Sequence, residues 1–519
     1  MSEMLKSSGA MGAATLLSRV LGMVREIVYA RFMGDGMVAG AFQLAFTIPN
    51  LFRRLLGEGA LTAAFIPVLK EKEKTAGEAE MWRAANAVIS GLVVAAAAVT
   101  GLVLLGISLA LAFASFKPET RLMLELLRWM FPYMLLICLT AVFFGMLNSR
   151  GHFFVPALGA VILNVVMITV VLFLAPRWGA TLETQIFALA IGVLLAGAAQ
   201  MLFQLPTLRR EGFRFAWVSP WGNETVQRVV RQMIPGTIGV AAFQLNILLT
   251  QGVAFWLDPS IVASFNYAVR LMELPQGIFG VSLATFLLPT LAGLAAEKKM
   301  GEFRATLGQG LAHLIFINSL MTVLLVVLAE PMVRLLFERW QFTAESTHRA
   351  AFALACLAPG LVAFSMVNIL ARAFYALGDT TTPMKISLVC LGLNLVLALL
   401  LVGPLRQGGL ALANTLTSWL NVALLLAALR RREGALSLGV ATQKLGAVVI
   451  ASALAALAAW SLAQRWGIWF DAQTFWPKFG AVFVPMTAAA AVYFGTAVAL
   501  KVSSAREMVG MIRSRLAGR

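Results

Sequence analysis

The sequence predicts an all-α polytopic membrane protein with about fourteen transmembrane helices, built from two six-helix lobes and a C-terminal helix pair. Three observations support this fold class. First, 60% of the 519 residues are hydrophobic and only 13% are charged, whereas a soluble protein carries about 25% charged residues. Second, apolar runs long enough to cross a bilayer recur along the whole chain. Third, short motifs repeat at an offset of about 226 residues, which indicates two related halves.

The apolar runs define the predicted helices in chain order, and each has about the 20 residues that a spanning helix needs. They cover about 8–30, 37–68, 85–113, 124–148, 155–176, 183–205, 230–257, 262–294, 307–329, 350–376, 384–403, 408–429, 444–464 and 479–500. An even number of spans places both termini on one side of the membrane. No small-residue cleavage site follows the first run, so we interpret it as a retained helix and not as a signal peptide.

The basic residues mark one side of the predicted membrane domain. With the termini and alternate loops on one side, that side holds 24 of the 41 Lys and Arg residues, the other side holds 10, and 7 lie in the spans. Loops on the cytoplasmic side of membrane proteins carry the excess of Lys and Arg. The distribution therefore predicts cytoplasmic termini, and it indicates that the net charge of +17 reflects topology and not nucleic-acid binding.

The internal repeat sets the predicted domain organisation. Pro49 matches Pro275, and Gly151 matches Gly378 at nearly the same offset. A parallel repeat of six helices places a substrate site between two lobes, although chance matching is the alternative because Gly and Pro are common in membrane helices. The predicted divisions are a first lobe at 1–205, an interfacial linker at 206–229, a second lobe at 230–432, and the last helix pair with a basic tail at 433–519.

The predicted linker between the lobes combines basic and aromatic residues. Five Arg residues accompany two Phe and two Trp residues between 206 and 232. That composition suits a helix that lies in the anionic membrane interface. An ordinary linker that obeys the positive-inside rule is an equally good interpretation.

Five arginines lie inside or at the edge of apolar runs: Arg19, Arg25, Arg53, Arg54 and Arg270. An ionised Arg at the centre of a membrane helix costs roughly 2.5–3.5 kcal/mol, so these side chains should face protein or a water-filled cavity. The guanidinium fork matches the oxygens of a phosphate in a bidentate way. A membrane cavity lined by Arg is thus predicted to hold an anion.

The alternative for any single Arg is a structural role, in which it reaches the interface or closes a salt bridge. We expect that role for Arg372, which can pair with Asp379 near a cytoplasmic helix end. Acidic residues close in sequence can also support the cavity arginines. The supporting pairs that we expect are Arg25 with Glu26, Arg54 with Glu58, and Arg270 with Glu273.

Motifs for catalysis, cofactors and metals are missing from the sequence. Its three Cys and three His residues are scattered and match no metal spacing. No P-loop, GxSxG, HExxH or CxxC motif occurs in a usable context. We therefore expect no cofactor and no metal site, and a secondary transporter is favoured over a primary pump or an enzyme.

Three segments resemble the MurJ (MviN) lipid II flippases, which belong to the multidrug/oligosaccharidyl-lipid/polysaccharide (MOP) exporter superfamily. They are SRVLGMVR at 18–25, PNLFRRLLGEGA at 49–60 and RLMELP at 270–275. The resemblance extends over the whole chain and implies a multi-pass protein of the bacterial inner membrane. It implies that the chain moves the undecaprenyl-diphosphate-linked peptidoglycan precursor, lipid II, to the periplasmic leaflet by alternating access.

The resemblance also implies the site. The essential arginines of the family match Arg19, Arg25, Arg53 and Arg270, and a neighbouring acidic residue matches Glu58. The last two helices are similar to a pair that is proposed to hold the polyprenyl tail. The implied partners are lipid II, membrane lipids and proteins of cell-wall synthesis.

Two departures limit what the resemblance implies. Gly40 stands where family members often have Asp, and the cores of spans 7, 11 and 12 lack the acidic ligand of a sodium site. Asn246, Asn394 and Asn414 are polar there, but packing is an equally good role, so membrane potential is the alternative driving force.

Three other functions stay open: a flippase for another polyprenyl-diphosphate glycan, a cation-coupled drug exporter, and a scaffold without transport.

Overall fold

The computed structural model describes residues 2–55, 61–434, 445–470 and 474–516. Within these ranges the chain is almost entirely helical and contains no strand, so the predicted all-α class is confirmed. The helices are α1 Ser2–Met33, α2 Met37–Phe52, α3 Leu61–Ala76, α4 Glu78–Phe113, α5 Pro118–Met130, α6 Tyr133–Ser149, α7 Phe154–Ala157, α8 Gly159–Thr169, α9 Ala175–Trp178, α10 Leu182–Arg210, α11 Glu224–Leu257, α12 Pro259–Pro275, α13 Ser282–Ala296, α14 Met300–Val327, α15 Ala329–Leu336, α16 Ala344–Leu357, α17 Gly360–Ala376, α18 Thr381–Leu405, α19 Gln407–Glu433, α20 Leu445–Trp469, α21 Phe475–Ala499 and α22 Ser503–Leu516.

Ten helical segments in the described ranges are long and apolar enough to cross a membrane, and two bent helix pairs raise that number to twelve. The predicted count of about fourteen is therefore not confirmed. The difference lies in the first two predicted spans. The helix α1 carries several charged side chains and α2 is only 16 residues long, while residues 56–60 of the second predicted span lie outside the described ranges.

The chain divides into two compact units, Met1–Ala263 and Ser264–Arg519. In the first unit, α3, α4, α6 and α10 enclose a core that includes Phe65, Trp82 and Met146. In the second unit, one core joins α13, α14, α17 and α19, and another joins α14 to α20 and α21. The helix α11 belongs to the first unit, and the predicted lobe limits at 205 and 230 stay a prediction.

Each unit contains one sharply bent helix pair at the same point of the sequence repeat. The chain bends by 44° between α5 and α6, and by 45° between α16 and α17. Pro132 and Pro359 stand at these breaks, where the missing N–H and the ring of proline interrupt a helix. Their offset of 227 residues equals that of Gly151 and Gly378.

The connections after these bent pairs also match. Gly151 (φ 84°) follows α6 and Gly378 (φ 73°) follows α17, both in the left-handed region that favours glycine. The amide of His152 then donates to the carbonyl of Leu147 at 2.9 Å. In the same way, the amide of Asp379 donates to the carbonyl of Phe374, also five residues back and at 2.9 Å. This is the same glycine-dependent helix ending in both units.

The segment between α10 and α11 does not form an interfacial helix, which was one of two interpretations of its composition. Residues 213–220 have no regular secondary structure and follow the side of α4. Gly212 (φ 90°) and Gly222 (φ 68°) turn the chain at its two ends, and a turn at each end leaves too few residues for a stable helix.

Candidate substrate site

Arg25 lies on α1 and forms a close ion pair with the next residue. Its Nη2 atom donates to Glu26 Oε1 at 2.6 Å, and the two side chains are only 15% and 9% exposed. The guanidinium carbon also lies 5.4 Å from the centre of the Tyr29 ring, a distance at which a ring face attracts a cation. The first unit thus holds a charged Arg inside it by means of one carboxylate and one aromatic ring.

The ion pair leaves part of the Arg25 guanidinium unsatisfied. The Nε atom is buried and has no hydrogen-bond acceptor among the residues that the structure describes. A buried donor without an acceptor is costly, and more so on a charged group. An oxyanion beside Arg25 would supply the missing acceptor.

A small cavity lies beside this guanidinium. Aromatic rings from three helices form much of its wall, and the lining residues are Arg25, Tyr29, Phe42, Phe46, Tyr133, Leu163, Met167, Val193 and Ala196. Its volume is about 10 Å³, which is close to the room that one water molecule needs. A diphosphate does not fit into that space, so in this conformation the cavity beside Arg25 is closed.

Sequence reasoning missed the aromatic part of this wall. The Tyr29 and Phe42 rings meet edge to face at 5.9 Å, and the Phe42 and Phe46 rings stack at 6.2 Å. Tyr133 continues the row, 6.0 Å from Phe46. The spacing of four residues between Phe42 and Phe46 places them on one helix face, but nothing in the sequence connects that face to Arg25.

The other two predicted arginines of the first unit have different surroundings. Arg19 is exposed, and its side chain makes no hydrogen bond or ion pair with the described part of the chain. Arg53 donates from Nε to Asn50 Oδ1 at 2.8 Å. It stands in a wider π-type turn at 53–55 that follows Pro49. Thus Arg25 is the predicted residue that the structure places at the cavity.

The predicted pair of Arg54 with Glu58 cannot be placed, because Glu58 lies outside the described residues. Gly40, where family members often have Asp, lies against Pro259 at the start of α12. A Cβ atom on Gly40 would collide with the carbonyl group of Pro259. No longer side chain fits at position 40 in this conformation, which is a physical reason for glycine there.

In the second unit, Arg270 forms an ion pair with Glu273. Nη1 lies 2.8 Å from Oε2, and the side chains are 43% and 45% exposed. A pair this exposed contributes about 0–1 kcal/mol to stability. A π-type turn at Gln276–Val281 follows Pro275, as the turn at 53–55 follows Pro49.

The predicted pair of Arg372 with Asp379 is wrong. Arg372 donates to Thr285 Oγ1 at 2.7 Å, whereas Asp379 pairs with Arg432 at 3.0 Å. The amide and hydroxyl of Thr382 also donate to Asp379, and these hydrogen bonds hold the pKa of its carboxyl group below the usual value. Asp379 accepts from the first two amides of α18, those of Thr381 and Thr382, and these bonds are made in place of a pair with Arg372.

Two of the three polar residues considered for a cation site, Asn394 and Asn414, bind each other. Asn394 Nδ2 donates to Asn414 Oδ1 at 3.4 Å and to Thr417 Oγ1 at 3.3 Å. These contacts join α18 to α19, as expected for packing. Among the described residues, no group of three or more His, Cys, Asp or Glu could hold a metal ion.

Sequence comparisons relate this chain to one family over most of its length. The family model described as "Lipid II flippase MurJ" matches residues 29–480. A protein of Haemophilus influenzae named "Probable lipid II flippase MurJ" is 34% identical over 439 residues, which cover 81% of this chain and 85% of that protein.

Solved structures show the same fold. One titled "Lipid II flippase MurJ, inward closed conformation" is 21% identical, covers 94% of this chain and 99% of its own, and has a TM-score of 0.74. An inward-facing MATE family transporter of the MOP superfamily is 15% identical, with a TM-score of 0.65 and coverage of 82% and 98%. Because the family model matches most of the chain and a relative is 34% identical over 81% of it, this chain belongs to the MurJ family.

Proposed function

We propose that this chain is a lipid II flippase that works by alternating access and holds the diphosphate with Arg19, Arg25, Arg53 and Arg270. It moves the lipid from the cytoplasmic to the periplasmic leaflet of the bacterial inner membrane. Membership of the MurJ family supports the substrate, and the excess of Lys and Arg on one side supports cytoplasmic termini.

The unsatisfied Nε atom of Arg25 is the observation that carries the assignment of the diphosphate site. Glu26 already accepts from Arg25 Nη2 with one carboxylate oxygen, and a phosphate presents several such oxygens with more negative charge. The buried donor and the cation-stabilising ring of Tyr29 are both present before a ligand arrives. This site is therefore preorganised for an oxyanion.

Opening of the closed cavity is the step that the substrate must favour. A ligand shifts a conformational equilibrium only by its difference in affinity between the two states. The diphosphate binds well only where the guanidinium of Arg25 is open to it, and its negative charge offsets the cost of holding that cation inside the first unit. Transport then needs no covalent step, so the proposal is for a transporter and not an enzyme.

The rest of lipid II has separate requirements. The sugar-peptide headgroup is polar and needs a hydrated cavity, whereas the polyprenyl tail stays in hydrocarbon. The helices α20 and α21 present many exposed apolar side chains, including Val449, Leu457 and Trp460. We assign the tail to this helix pair, and we expect enzymes of cell-wall synthesis to supply and use the lipid.

The test is a set of Arg25 variants in cells that depend on this chain as their flippase. Losing a charged hydrogen-bond donor costs about 1.5–3 kcal/mol, or about 10- to 150-fold in affinity. Arg25→Ala is expected to abolish growth, and Arg25→Lys to restore part of it because it keeps the charge but not the fork. Arg121→Ala is the matched control, since Arg121 is 63% exposed and pairs with Glu125.

The readout is the leaflet in which lipid II accumulates, with the amount of membrane protein measured in parallel. Normal flipping by Arg25→Ala at normal protein level would reject the assigned site. Reconstituted transport of lipid II against another polyprenyl-diphosphate glycan separates the proposed substrate from the alternative. Equal rates for both lipids would show that the site reads the diphosphate and not the glycan.

A further inference from the structure

The connection between α10 and α11 lies against the start of α4. The ring of Phe213 lies 5.6 Å from that of Trp82, and the side-chain amide of Asn86 donates to the carbonyl of Arg214 at 2.9 Å. The chain leaves α10 and turns back along α4 at this point. We call residues 209–221 the linker segment.

Two further contacts place the far end of the linker segment. The amide of Val218 donates to Ser90 Oγ at 3.3 Å. Pro220 lies against Gly91, where an added Cβ would come 3.3 Å from its ring. Between Trp82 and Gly91 the helix rises about 13 Å, so the linker segment follows α4 over that distance.

The position of the membrane boundary follows from the sequence of α4. No charged residue occurs between Gly91 and Phe113, a stretch of about 34 Å in a helix, close to the roughly 30 Å thickness of the hydrocarbon core. Charged residues occur only before Gly91, at Glu78, Glu80 and Arg83. The linker segment therefore ends at the edge of the apolar layer and begins in the headgroup layer.

Aromatic side chains on the linker segment are exposed at this depth. Phe215, Trp217 and Trp221 are 57%, 58% and 78% exposed. Tryptophan is enriched where hydrocarbon meets headgroups, because its ring is apolar and its N–H is polar. Large exposed rings at the edge of the apolar layer are placed to enter the membrane interface.

Three arginines accompany these rings. Arg209, Arg210 and Arg214 are exposed, and their side chains form no ion pair or hydrogen bond with any residue that the structure describes. The carboxylate between them in sequence, Glu211, is already bound by Arg150 at 2.8 Å. The linker segment thus presents positive charge that the protein's own acids do not neutralise.

We propose that the linker segment binds the headgroups of anionic phospholipids at the membrane surface. Arg209, Arg210 and Arg214 bind the headgroup phosphates, and Trp217 and Trp221 lie beside the upper acyl chains. The complementary charge and the depth along α4 both select this occupant. This surface is distinct from the proposed diphosphate site at Arg25.

The test compares lipid binding by the purified full-length chain in detergent micelles. Dissociation constants for phosphatidylglycerol and phosphatidylcholine are measured by native mass spectrometry. Each Arg near the surface contributes about a fivefold preference for anionic lipid. The double variant Arg210→Gln with Arg214→Gln is therefore expected to bind phosphatidylglycerol about 30-fold more weakly and phosphatidylcholine unchanged.

A second double variant, Lys72→Gln with Lys74→Gln, removes the same charge at the end of α3 and is expected to bind both lipids as the parent does. Equal binding of phosphatidylglycerol by the Arg variant and the parent would overturn the proposal, and so would an equal loss in the Lys variant. Soluble glycerophosphoglycerol tests for a simple anion site. If it competes as well as the lipid, the membrane assignment is wrong.

Discussion

Replacing Glu26 by Gln separates a structural role of Arg25 from a ligand-binding role. In the present structure the Glu26 carboxylate occupies one side of the Arg25 guanidinium at 2.6 Å. If the pair only stabilises the first unit, its loss lowers the stability of the protein and does not strengthen ligand binding. If Glu26 also competes with the diphosphate, its loss destabilises the empty protein and strengthens ligand binding.

The expected magnitudes follow from the burial of the pair. The two side chains are 15% and 9% exposed, and breaking a buried ion pair costs about 3–5 kcal/mol because a charge is left without a partner. A ligand at a hundred times its dissociation constant raises the free energy of unfolding by about 2.7 kcal/mol. Without the competing carboxylate, the same lipid concentration should raise the free energy of unfolding by about 1.5–3 kcal/mol more, because one charged hydrogen bond is gained.

The assay is thermal unfolding of the purified protein with and without undecaprenyl diphosphate. Glu26→Gln should melt at a lower temperature than the parent without ligand and show a larger upward shift with it. Glu125→Gln, which removes a carboxylate from an exposed pair with Arg121, should change neither value. An equal ligand-induced shift in Glu26→Gln and the parent would refute the reasoning that Glu26 competes with the substrate.

Three further variants test other parts of the structure. Gly40→Ala should destabilise the first unit by about 1–3 kcal/mol in thermal unfolding, because the new Cβ collides with a backbone carbonyl. Hydrogen bonds from His152 and Arg150 hold the pKa of Glu211 below its usual value of 4.5, so stability should fall as the pH drops through the lowered pKa, and less so in Glu211→Gln. Tyr493→Phe should cost about 1 kcal/mol in the melting profile, since the buried hydroxyl donates to a carbonyl at 2.6 Å.

Each of these variants has a control in the same chain. Gly36→Ala places a Cβ in open space and should be neutral. Glu302→Gln and Tyr375→Phe change exposed side chains and should leave the pH profile and the melting temperature unchanged. A control that behaves like its test variant would contradict the corresponding explanation, because the contact named would not be the cause.

Most of the fold was predictable because membrane helices are recognised in a sequence by their length and apolar composition. Twelve of the predicted spans correspond to single helical segments or bent pairs in the structure. The bends themselves follow from Pro132 and Pro359, whose positions in the repeat are visible in the sequence. Composition left two interpretations of the linker segment open, and the glycines at 212 and 222, which turn the chain near its ends, favour the one without a helix.

The local part of the candidate site was also predictable, whereas its long-range part was not. Glu26 and Glu273 pair with arginines one and three residues away, which are contacts that helix geometry permits. The partners of Arg372 and Asp379 lie on other helices, and a single sequence does not show which helix faces meet. For the same reason, the sequence did not predict that aromatic rings line the cavity beside Arg25.

Under the proposed function, the features that obscure the first two helices in the sequence also suit them to bind an anion. Charged side chains lower the apolarity of α1, and Pro49 with the π-type turn after it interrupts α2. A helix made only for stability would carry neither. The first unit tolerates them because α3, α4, α6 and α10 supply a well-buried core, and local strain persists only where the surrounding structure is stable enough to maintain it. Arg25 is thus held with an unsatisfied nitrogen at a closed cavity, and under the proposed function the ligand that satisfies this nitrogen also provides the free energy to open the cavity.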